Sequence, residues 1–398
     1  MKLRRARPNP VWIVIGVVGW AGILWLGSRM FATNPPTAGF DLELLLRAGR
    51  DVAAGRSPYD PALLAGGAPV AERLFYSYPP PVAQIMAVFA GVPSGLMLVA
   101  WDAAAVAGLA VVAGTIARQF APDVPVSRVV VPVLCLVPIC FPFAVGLLFG
   151  NLDVFFPFLY GLLLVGVVGG QNGWSPLRGG AAVAVASTTK LHPASLGIWL
   201  GVRALRDGPA RQALAGLVAA GILIVAWSIL IGGSGPWSDY LTVVRAGSGA
   251  DLVDPRNAGP AAQIALLTGA GESFARLLQI PITLIAVAIT VAAAGWRPDV
   301  VESLVWAAAA SLITLPVTWF HYPAALMPFA LAAVLRSRGA PSAERVTLLI
   351  AAALVVSIVA IATLPLLWLS VALVIAGVRA SVLPEPGVVD RRDPSPSL

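Results

Sequence analysis

Ionisable side chains inside long apolar segments are the residues of this sequence that could do chemistry. Charged groups are costly in an apolar environment, and where a membrane-depth segment retains them they usually mark a functional site. Carboxylates and imidazoles accept protons and an ammonium binds anions, so these residue types suit acid–base chemistry and anion binding. The groups that qualify are Asp102, Asp153, Lys190, His192, Glu302 and His321.

Lys190 is the most unusual of these groups, because the 26 basic residues of the chain include just one other lysine, Lys2. It lies near the middle of the apolar run 179–202, three residues before Pro193. Proline removes a backbone donor and kinks a helix, which predicts a polar notch at this point. The ammonium needs an anionic partner. That partner is either the phosphate of a substrate or, as a structural ion pair, Asp153.

Asp41 begins an amphipathic stretch, Gly39–Gly55, that follows the first long apolar run. Its leucines alternate with charged residues at helical spacing, which predicts a helix lying along the membrane surface. A carboxylate at this position is a helix N-cap, a solvated loop acid or a proton acceptor for a substrate. Sequence position by itself favours the first two interpretations.

His321 lies in an aromatic motif, 318–323, where two apolar runs meet. It is either an anchor at the membrane interface or a substrate contact. Neither His192 nor His321 has a partner at metal-ligand spacing. The sequence also has no Walker loop, no nucleophile elbow and no zinc-protease motif. No metal site and no cofactor are predicted.

The composition identifies the elements that must position these side chains as membrane helices. Of the 398 residues, 58% are hydrophobic and 11% are charged, whereas soluble domains carry about 25% charged residues. The two cysteines, Cys135 and Cys140, lie in one apolar segment and do not form a disulfide framework. Soluble enzymes, nucleic-acid-binding proteins and secreted disulfide scaffolds are therefore excluded. The predicted fold is an all-α polytopic membrane protein.

Apolar runs near the length needed to cross a bilayer recur along the chain, and they predict about 10–12 transmembrane helices. The 34 prolines and 39 glycines, many of them inside these runs, predict broken or re-entrant helices around a cavity. The runs are 11–30, 79–92, 95–117, 128–148, 151–169, 179–202, 212–231, 275–295, 300–319, 321–335, 346–362 and 363–380.

The distribution of basic residues predicts the topology, because cytoplasmic loops are rich in Lys and Arg. A basic cluster within residues 1–10 places the N-terminus in the cytoplasm, and arginines near 203–211, 297, 336–345 and 379–392 mark further cytoplasmic segments. Residues 1–380 are predicted to form a single membrane domain with outer loops 31–78 and 232–274, followed by a disordered cytoplasmic tail, 381–398. The topology of 79–179 stays open: if the short run 79–92 is re-entrant, residues 95–148 invert and a second broken helix must restore the phase before 179.

The order of several motifs resembles glycosyltransferase family 87, within the GT-C superfamily. The resemblance covers about residues 11–380. It rests on an acid, Asp41, before an amphipathic helix, followed in order by Gly55-Arg56-Ser57-Pro58-Tyr59-Asp60, Tyr78-Pro79-Pro80, Gly150-Asn151, Lys190 with Pro193, Trp237 with Tyr240, Asn257, and Pro316 with Trp319 and His321-Tyr322.

This resemblance implies a GT-C fold and an enzyme of the plasma membrane similar to actinobacterial polyprenol-phosphate-mannose-dependent α-1,2-mannosyltransferases. Mannose would pass from a polyprenyl phosphate carrier to a glycolipid or lipoglycan at the outer face, with inversion and without a metal. Asp41 would be the general base. Substrate-binding roles would fall on Lys190, His321, Tyr322, Trp319, His192, Tyr59, Tyr78, Asn151, Arg256 and Asn257.

Two other classes of function fit a polytopic membrane protein of this composition. A secondary transporter or lipid flippase would be expected to show internal repeats, and residues 1–200 and 201–398 show no convincing repeat. A non-catalytic scaffold of the same fold in envelope assembly is the second class. The joint presence of Asp41, Lys190 and His321 favours the enzyme. The acceptor, the choice between mannose and arabinose, and the oligomeric state are left open.

Overall fold

A computed structural model describes residues 10–34, 36–67, 75–169, 174–247, 252–360 and 362–382. This part of the chain is all helical. The basic N-terminal cluster and nearly all of the predicted tail lie outside the described residues. The α-helices are α1 Pro10–Phe31, α2 Phe40–Ala53, α3 Pro61–Leu64, α4 Pro80–Ala87, α5 Ser94–Phe120, α6 Ser127–Leu136, α7 Phe141–Phe149, α8 Phe156–Val168, α9 Pro176–Thr189, α10 Leu196–Arg203, α11 Gly208–Gly232, α12 Gly235–Gly247, α13 Pro260–Thr268, α14 Glu272–Trp296, α15 Val300–Ser311, α16 Met327–Arg336, α17 Ala343–Val359 and α18 Leu366–Ala380.

Four of these helices, α1, α5, α11 and α14, are long and apolar enough to cross a membrane by themselves. The segments Ser127–Ile139 and Phe141–Phe149 form a fifth candidate span, bent by 72°. The bend falls between Pro138 and Pro142, where proline breaks the helical hydrogen bonds. Shorter apolar helices account for further apolar segments. The predicted class, a polytopic all-helical membrane protein with broken helices, is confirmed.

The amphipathic helix predicted over Gly39–Gly55 is present as α2. Its buried face includes Leu42, Leu45 and Leu46, which are at most 1% exposed. That face packs against α4 so closely that a Cβ atom on Gly49 would lie 2.5 Å from the backbone of Met86. The apolar side of α2 is therefore covered by protein and not by lipid.

The short run 79–92 contains α4, whose eight residues extend about 12 Å and cannot cross a bilayer. The next helix, α5, begins beside α2, where Leu98 lies against Gly39 and Gly150. It ends next to Asp123, which pairs with Arg338 at 3.0 Å. We call these two ends of the molecule the Asp41 end and the arginine-rich end. The re-entrant alternative for 79–92 is thus the one that the structure adopts.

The predicted single span 179–202 is instead a hairpin of two short helices, α9 and α10. Gly180 on α9 and Gly197 on α10 both lie against Leu217 of α11, although a straight helix would separate them by about 25 Å. The chain turns back between them, at Lys190, which has extended backbone angles. The proline ring at 193 would clash with the carbonyl of Thr189, four residues earlier, and α9 ends at that residue. Because α4 does not cross, a second broken segment must restore the alternation of sides along the chain. That segment is the α9–α10 hairpin, which lies inside 179–202 and not before 179.

The core of the molecule is built around α8. Eleven of its thirteen residues are buried, as expected for a helix that is apolar on every side. It packs against α5, α9 and α16. The turn between α7 and α8 is consequently held at a fixed position, and this turn carries Asn151 and Asp153.

Candidate active site

Asn151 links the acid of the first outer loop to the lysine of the α9–α10 hairpin. Its Nδ2 donates a hydrogen bond of 2.6 Å to Oδ2 of Asp41. Its Oδ1 accepts from Nζ of Lys190 at 3.3 Å and from the backbone nitrogen of Asp153 at 2.9 Å. Gly150 precedes it with a φ of 66°, a left-handed conformation that suits glycine and lets the chain turn sharply after α7. Two segments that are distant along the chain therefore converge on one amide side chain.

Lys190 and Asp153 form an ion pair in the interior. The ammonium lies 2.8 Å from Oδ1 of Asp153, and the two side chains are 10% and 1% exposed. Lys190 also follows the last residue of α9, where a positive charge interacts favourably with the carbonyl end of the helix. The structural interpretation of Lys190, as the partner of Asp153, is therefore present in the structure. It does not use all of the ammonium's hydrogen-bonding capacity, because an ammonium has three N–H donors.

Two buried histidines flank this ion pair. Nε2 of His321 lies 3.1 Å from Oδ2 of Asp153. The His192 ring stacks on the Tyr322 ring with centroids 4.7 Å apart. Nζ of Lys190 is 4.5 Å from the centroid of the same tyrosine, within the range of a cation–π contact. Among the described residues, both ring nitrogens of His192 and Nδ1 of His321 have no hydrogen-bond partner, whereas Nε2 of His321 faces Asp153.

Asp41 differs from Asp153 in its surroundings. It is half-buried and lies in the first turn of α2, where a carboxylate is favoured by the helix dipole. No basic nitrogen of the described residues lies within 4.0 Å of it, whereas Asp153 is paired with Lys190. Its main hydrogen bond is the one from Asn151. We call the contacting side chains of Asp41, Asn151, Asp153, Lys190, His192, His321 and Tyr322 the cluster. Asp41 is its accessible carboxylate, and no cation neutralises it.

Two tyrosines of the first outer loop have different positions: Tyr78 lies against the cluster, and Tyr59 lies behind Tyr78. The Tyr78 ring lies 5.9 Å from Nζ of Lys190. Tyr59 lies one layer further out, where its hydroxyl donates to the backbone oxygen of Tyr78 at 3.0 Å. Burial raises the pKa of Tyr59 above its ordinary value, so the hydroxyl stays protonated as this bond requires. In this geometry Tyr59 supports Tyr78 and does not itself contact the cluster.

The remaining predicted residues lie beside the cluster. Asn257 is fully buried and holds the second outer loop to the segment before His321. Its side chain donates to the backbone oxygen of Pro316 at 3.0 Å and accepts from the backbone nitrogen of Thr318 at 3.0 Å. Arg256 pairs with Asp254 at 2.6 Å on the surface and lowers the pKa of that carboxyl. Trp319 is half-buried against the main core.

Not every ionisable group at membrane depth belongs to the cluster. Glu302 pairs with Arg297 at 2.8 Å at the arginine-rich end. Asp102 lies on α5, where one of its oxygens has no hydrogen bond within the described part of the chain. Asp153 is central to the site, yet from the sequence it was one of six ionisable candidates, with no role assigned beyond an ion pair with Lys190. Its position two residues after Gly150-Asn151, in a turn between buried helices, is the signal that could have identified it.

The arrangement combines an accessible carboxylate, a buried cation and two buried imidazoles in one group of contacting side chains. It can remove a proton at one end and stabilise negative charge at the other. No group of three or more His, Cys, Asp or Glu side chains among the described residues could hold a metal ion.

Comparison with known proteins gives one match. The family model described as glycosyltransferase family 87 matches residues 76–320, which include Asn151, Lys190 and the end of the segment before His321. Neither a curated protein nor a solved structure matches the chain significantly.

Proposed function

The chain belongs to glycosyltransferase family 87 and is a membrane glycosyltransferase, and from this premise we propose that it transfers mannose from a polyprenyl phosphate carrier to a glycolipid or lipoglycan. The reaction takes place at the outer face of the plasma membrane, where the Asp41 end of the molecule lies. The observation that carries the proposal is the Asn151 bridge, which puts an accessible carboxylate and a buried ammonium into one hydrogen-bonded group.

The proposed reaction is a single displacement at the anomeric carbon. The acceptor hydroxyl oxygen forms the new bond to this carbon and loses its proton to Asp41. The bond between the anomeric carbon and the phosphate oxygen breaks, and the carrier phosphate leaves with the electron pair. The configuration at the anomeric carbon inverts, and no covalent sugar–protein intermediate forms.

Asp41 is a better general base than Asp153 for two reasons. A base must reach the proton that it removes, and Asp41 is half-buried whereas Asp153 is 1% exposed. A carboxylate already paired with an ammonium is also a weaker proton acceptor, which applies to Asp153. The hydrogen bond from Asn151 leaves the second oxygen of Asp41 for the acceptor hydroxyl.

Lys190 stabilises the charge that develops on the leaving phosphate. Two of its N–H donors are directed to Asn151 and Asp153, and the third is available for a phosphate oxygen. Because Asp153 already balances the lysine charge, a second cation is needed beside a phosphate. His321, 3.1 Å from Asp153, can supply it in its protonated form. The faces of Tyr78 and Tyr322 offer stacking surfaces for the sugar.

The protein cations replace a metal in this proposal, so the transfer needs no cofactor. Arabinose is the competing donor sugar.

A transporter or flippase is the alternative function. It would move the lipid without breaking the bond to phosphate, so a vesicle assay of transfer would yield no glycosylated product.

The central test is the substitution Asp41→Asn in vesicles supplied with radiolabelled polyprenyl-phosphate mannose. Loss of the base should slow transfer by about 100-fold or more, and EDTA should leave the wild-type rate unchanged. Asp51→Asn is the matched control, because Asp51 lies on the same helix and makes a surface pair with Arg56. It should keep most of the activity.

Several outcomes would contradict the proposal. Full activity of Asp41→Asn removes the base, and a requirement for a divalent cation removes the metal-free mechanism. Transfer of radiolabelled arabinose in preference to mannose would replace the donor but keep the reaction class.

Lys190→Ala should raise the donor concentration needed for transfer more than the acceptor concentration. Separate titrations of the two substrates will measure this difference.

A further inference from the structure

A polar cavity lies at the arginine-rich end, remote from the cluster around Asp41. Its volume is about 400 Å³, and it is lined by residues from the turn 203–208, between α10 and α11, and by residues 295–298, at the end of α14. Three of the lining residues are arginines, Arg203, Arg206 and Arg297, and one is an acid, Asp207. The cavity therefore carries an excess of positive charge.

The three arginines have different roles in the walls of this cavity. Each guanidinium nitrogen of Arg203 contacts the protein: Nη1 and Nη2 donate to the backbone oxygens of Arg297 at 2.7 Å and Pro298 at 3.0 Å, and Nε pairs with Asp207 at 3.4 Å. It ties the two turns together and fixes the shape of the cavity. Since all three of its guanidinium nitrogens already contact the protein, we assign Arg203 a positioning role and not a ligand contact.

Arg206 and Arg297 keep donors that the protein does not use. Arg206 donates from Nη1 to the backbone oxygen of Gly295, and no carboxylate of the described residues lies within 4.0 Å of its guanidinium. Arg297 pairs through Nη1 with Glu302, and its side chain remains 37% exposed. Two guanidinium groups at one cavity match the planar, multidentate geometry with which arginine binds phosphate oxygens.

The rim of the cavity indicates where its occupant comes from. Trp296 and Leu205, on the two turns that build the cavity, are 81% and 80% exposed. At the end of membrane helices such residues lie at the boundary between headgroups and acyl chains. A phosphate reaching the arginines beside this apolar rim would belong to a molecule that is itself anchored in the membrane. Basic pockets between membrane helices bind anionic lipid headgroups in this manner.

We propose that this cavity binds the phosphate group of an anionic membrane lipid, with Arg206 and Arg297 as its donors. The site is separate from the glycosyl transfer centre and does not depend on the reaction proposed above. A lipid bound there joins the α10–α11 turn to the α14–α15 turn.

The test measures lipid binding by native mass spectrometry of the full-length protein titrated with phosphatidylglycerol, with phosphatidylcholine as the neutral lipid. The wild type should retain phosphatidylglycerol selectively. Arg206→Gln leaves every ion pair of the cavity intact and should weaken this binding by about tenfold. Arg206→Gln/Arg297→Gln should weaken it further. The matched control is Arg118→Gln/Arg128→Gln, which removes two exposed charges near the other turn of the same end, between α5 and α6.

Selective retention that is lost in the cavity variants and kept in the control would support the proposal. Equal loss in the cavity and control variants would overturn it, since general surface charge would then explain the retention. Unchanged retention in Arg206→Gln would overturn it as well. If inorganic phosphate displaces phosphatidylglycerol at comparable concentration, the site takes a free phosphate, and the assignment to a membrane lipid is wrong.

Discussion

The ion pair between Lys190 and Asp153 contributes to the stability of the fold, and the proposed reaction uses the same lysine. Removing one partner of a buried pair leaves an unpaired charge in the interior, which typically costs about 3–5 kcal/mol. Removing both costs much less. The pair therefore offers a way to separate what Lys190 does for stability from what it does for the reaction.

We expect Lys190→Met to lower the melting temperature in detergent strongly, because Asp153 at 1% exposure loses its counter-ion. The double variant Lys190→Met/Asp153→Asn should recover most of this stability, since no isolated charge remains. It should nevertheless stay inactive in mannosyl transfer. Recovery of activity together with stability would show that the lysine is structural and that another group binds the phosphate.

At the scale of single residues, the sequence predicted more of the identities in the site than of the contacts between them. Lys190 and His321 were identifiable because ionisable groups are rare in apolar runs. The role of Asn151 as a bridge was not predictable, because an uncharged amide carries no such signal and its partners are 110 and 39 residues away. Asp153 was ambiguous for a different reason: its ionisable side chain was noticed, but its burial and its partners depend on tertiary packing.

At the scale of the elements, the close approach of α9 and α11 positions Lys190. A Cβ atom on Gly180 would lie 1.7 Å from the backbone oxygen of Ala213, and one on Gly216 would lie 2.0 Å from that of Leu177. Any side chain at these two positions must push the helices apart. Because α9 ends at Lys190, such a shift moves the ammonium relative to Asp153.

Gly180→Ala is therefore expected to destabilise the protein by about 1–3 kcal/mol, the usual cost of overpacking, and to reduce transfer activity. Gly221→Ala is the matched control on α11, since a Cβ atom there would meet no neighbour within 4 Å. It should stay within about 1 kcal/mol of the wild type. Thermal unfolding and the transfer assay measure the two effects. Equal behaviour of both variants would show that the helix contact does not constrain the site.

Local chemistry predicted several elements correctly. The leucine spacing gave α2 to within two residues at each end, and Pro193 placed a break in the run 179–202. What local chemistry did not predict is the size of that break. A proline is compatible with a modest kink or with a complete reversal, and the packing of both arms against α11 decides between them.

At the scale of the whole molecule, the two outer segments interlock above the site. The hydroxyl of Ser57 donates to Asp239 at 2.9 Å, and the rings of Tyr59 and Tyr240 lie 6.3 Å apart. Asn257 then ties the second segment to the chain leading into His321. The second outer segment therefore contacts both the loop that follows α2 and the chain that leads into His321.

The failure of α4 to cross the membrane makes a testable prediction about the side on which later residues lie. In a background without Cys135 and Cys140, a membrane-impermeant maleimide should label Thr33→Cys and Ser127→Cys from opposite sides, because α5 and the bent span α6–α7 meet at the arginine-rich end. Arg338→Cys should label from the same side as Ser127→Cys, since Arg338 pairs with Asp123. Labelling of Ser127→Cys from the side of Thr33→Cys would mean that 79–92 crosses the membrane.

The separation of the ion pair along the chain has a consequence for biosynthesis. Asp153, in the turn before α8, leaves the ribosome 37 residues before Lys190, so its carboxylate has no counter-ion while α8 enters the lipid, until Lys190 has been made. We expect these helices to integrate as one unit: a nascent chain stopped at Gly169 should insert α8 poorly, and one stopped at Gly233 should insert it well. A glycosylation-site reporter would measure this order. The ion pair that the proposed reaction uses would then also determine the order in which these helices insert.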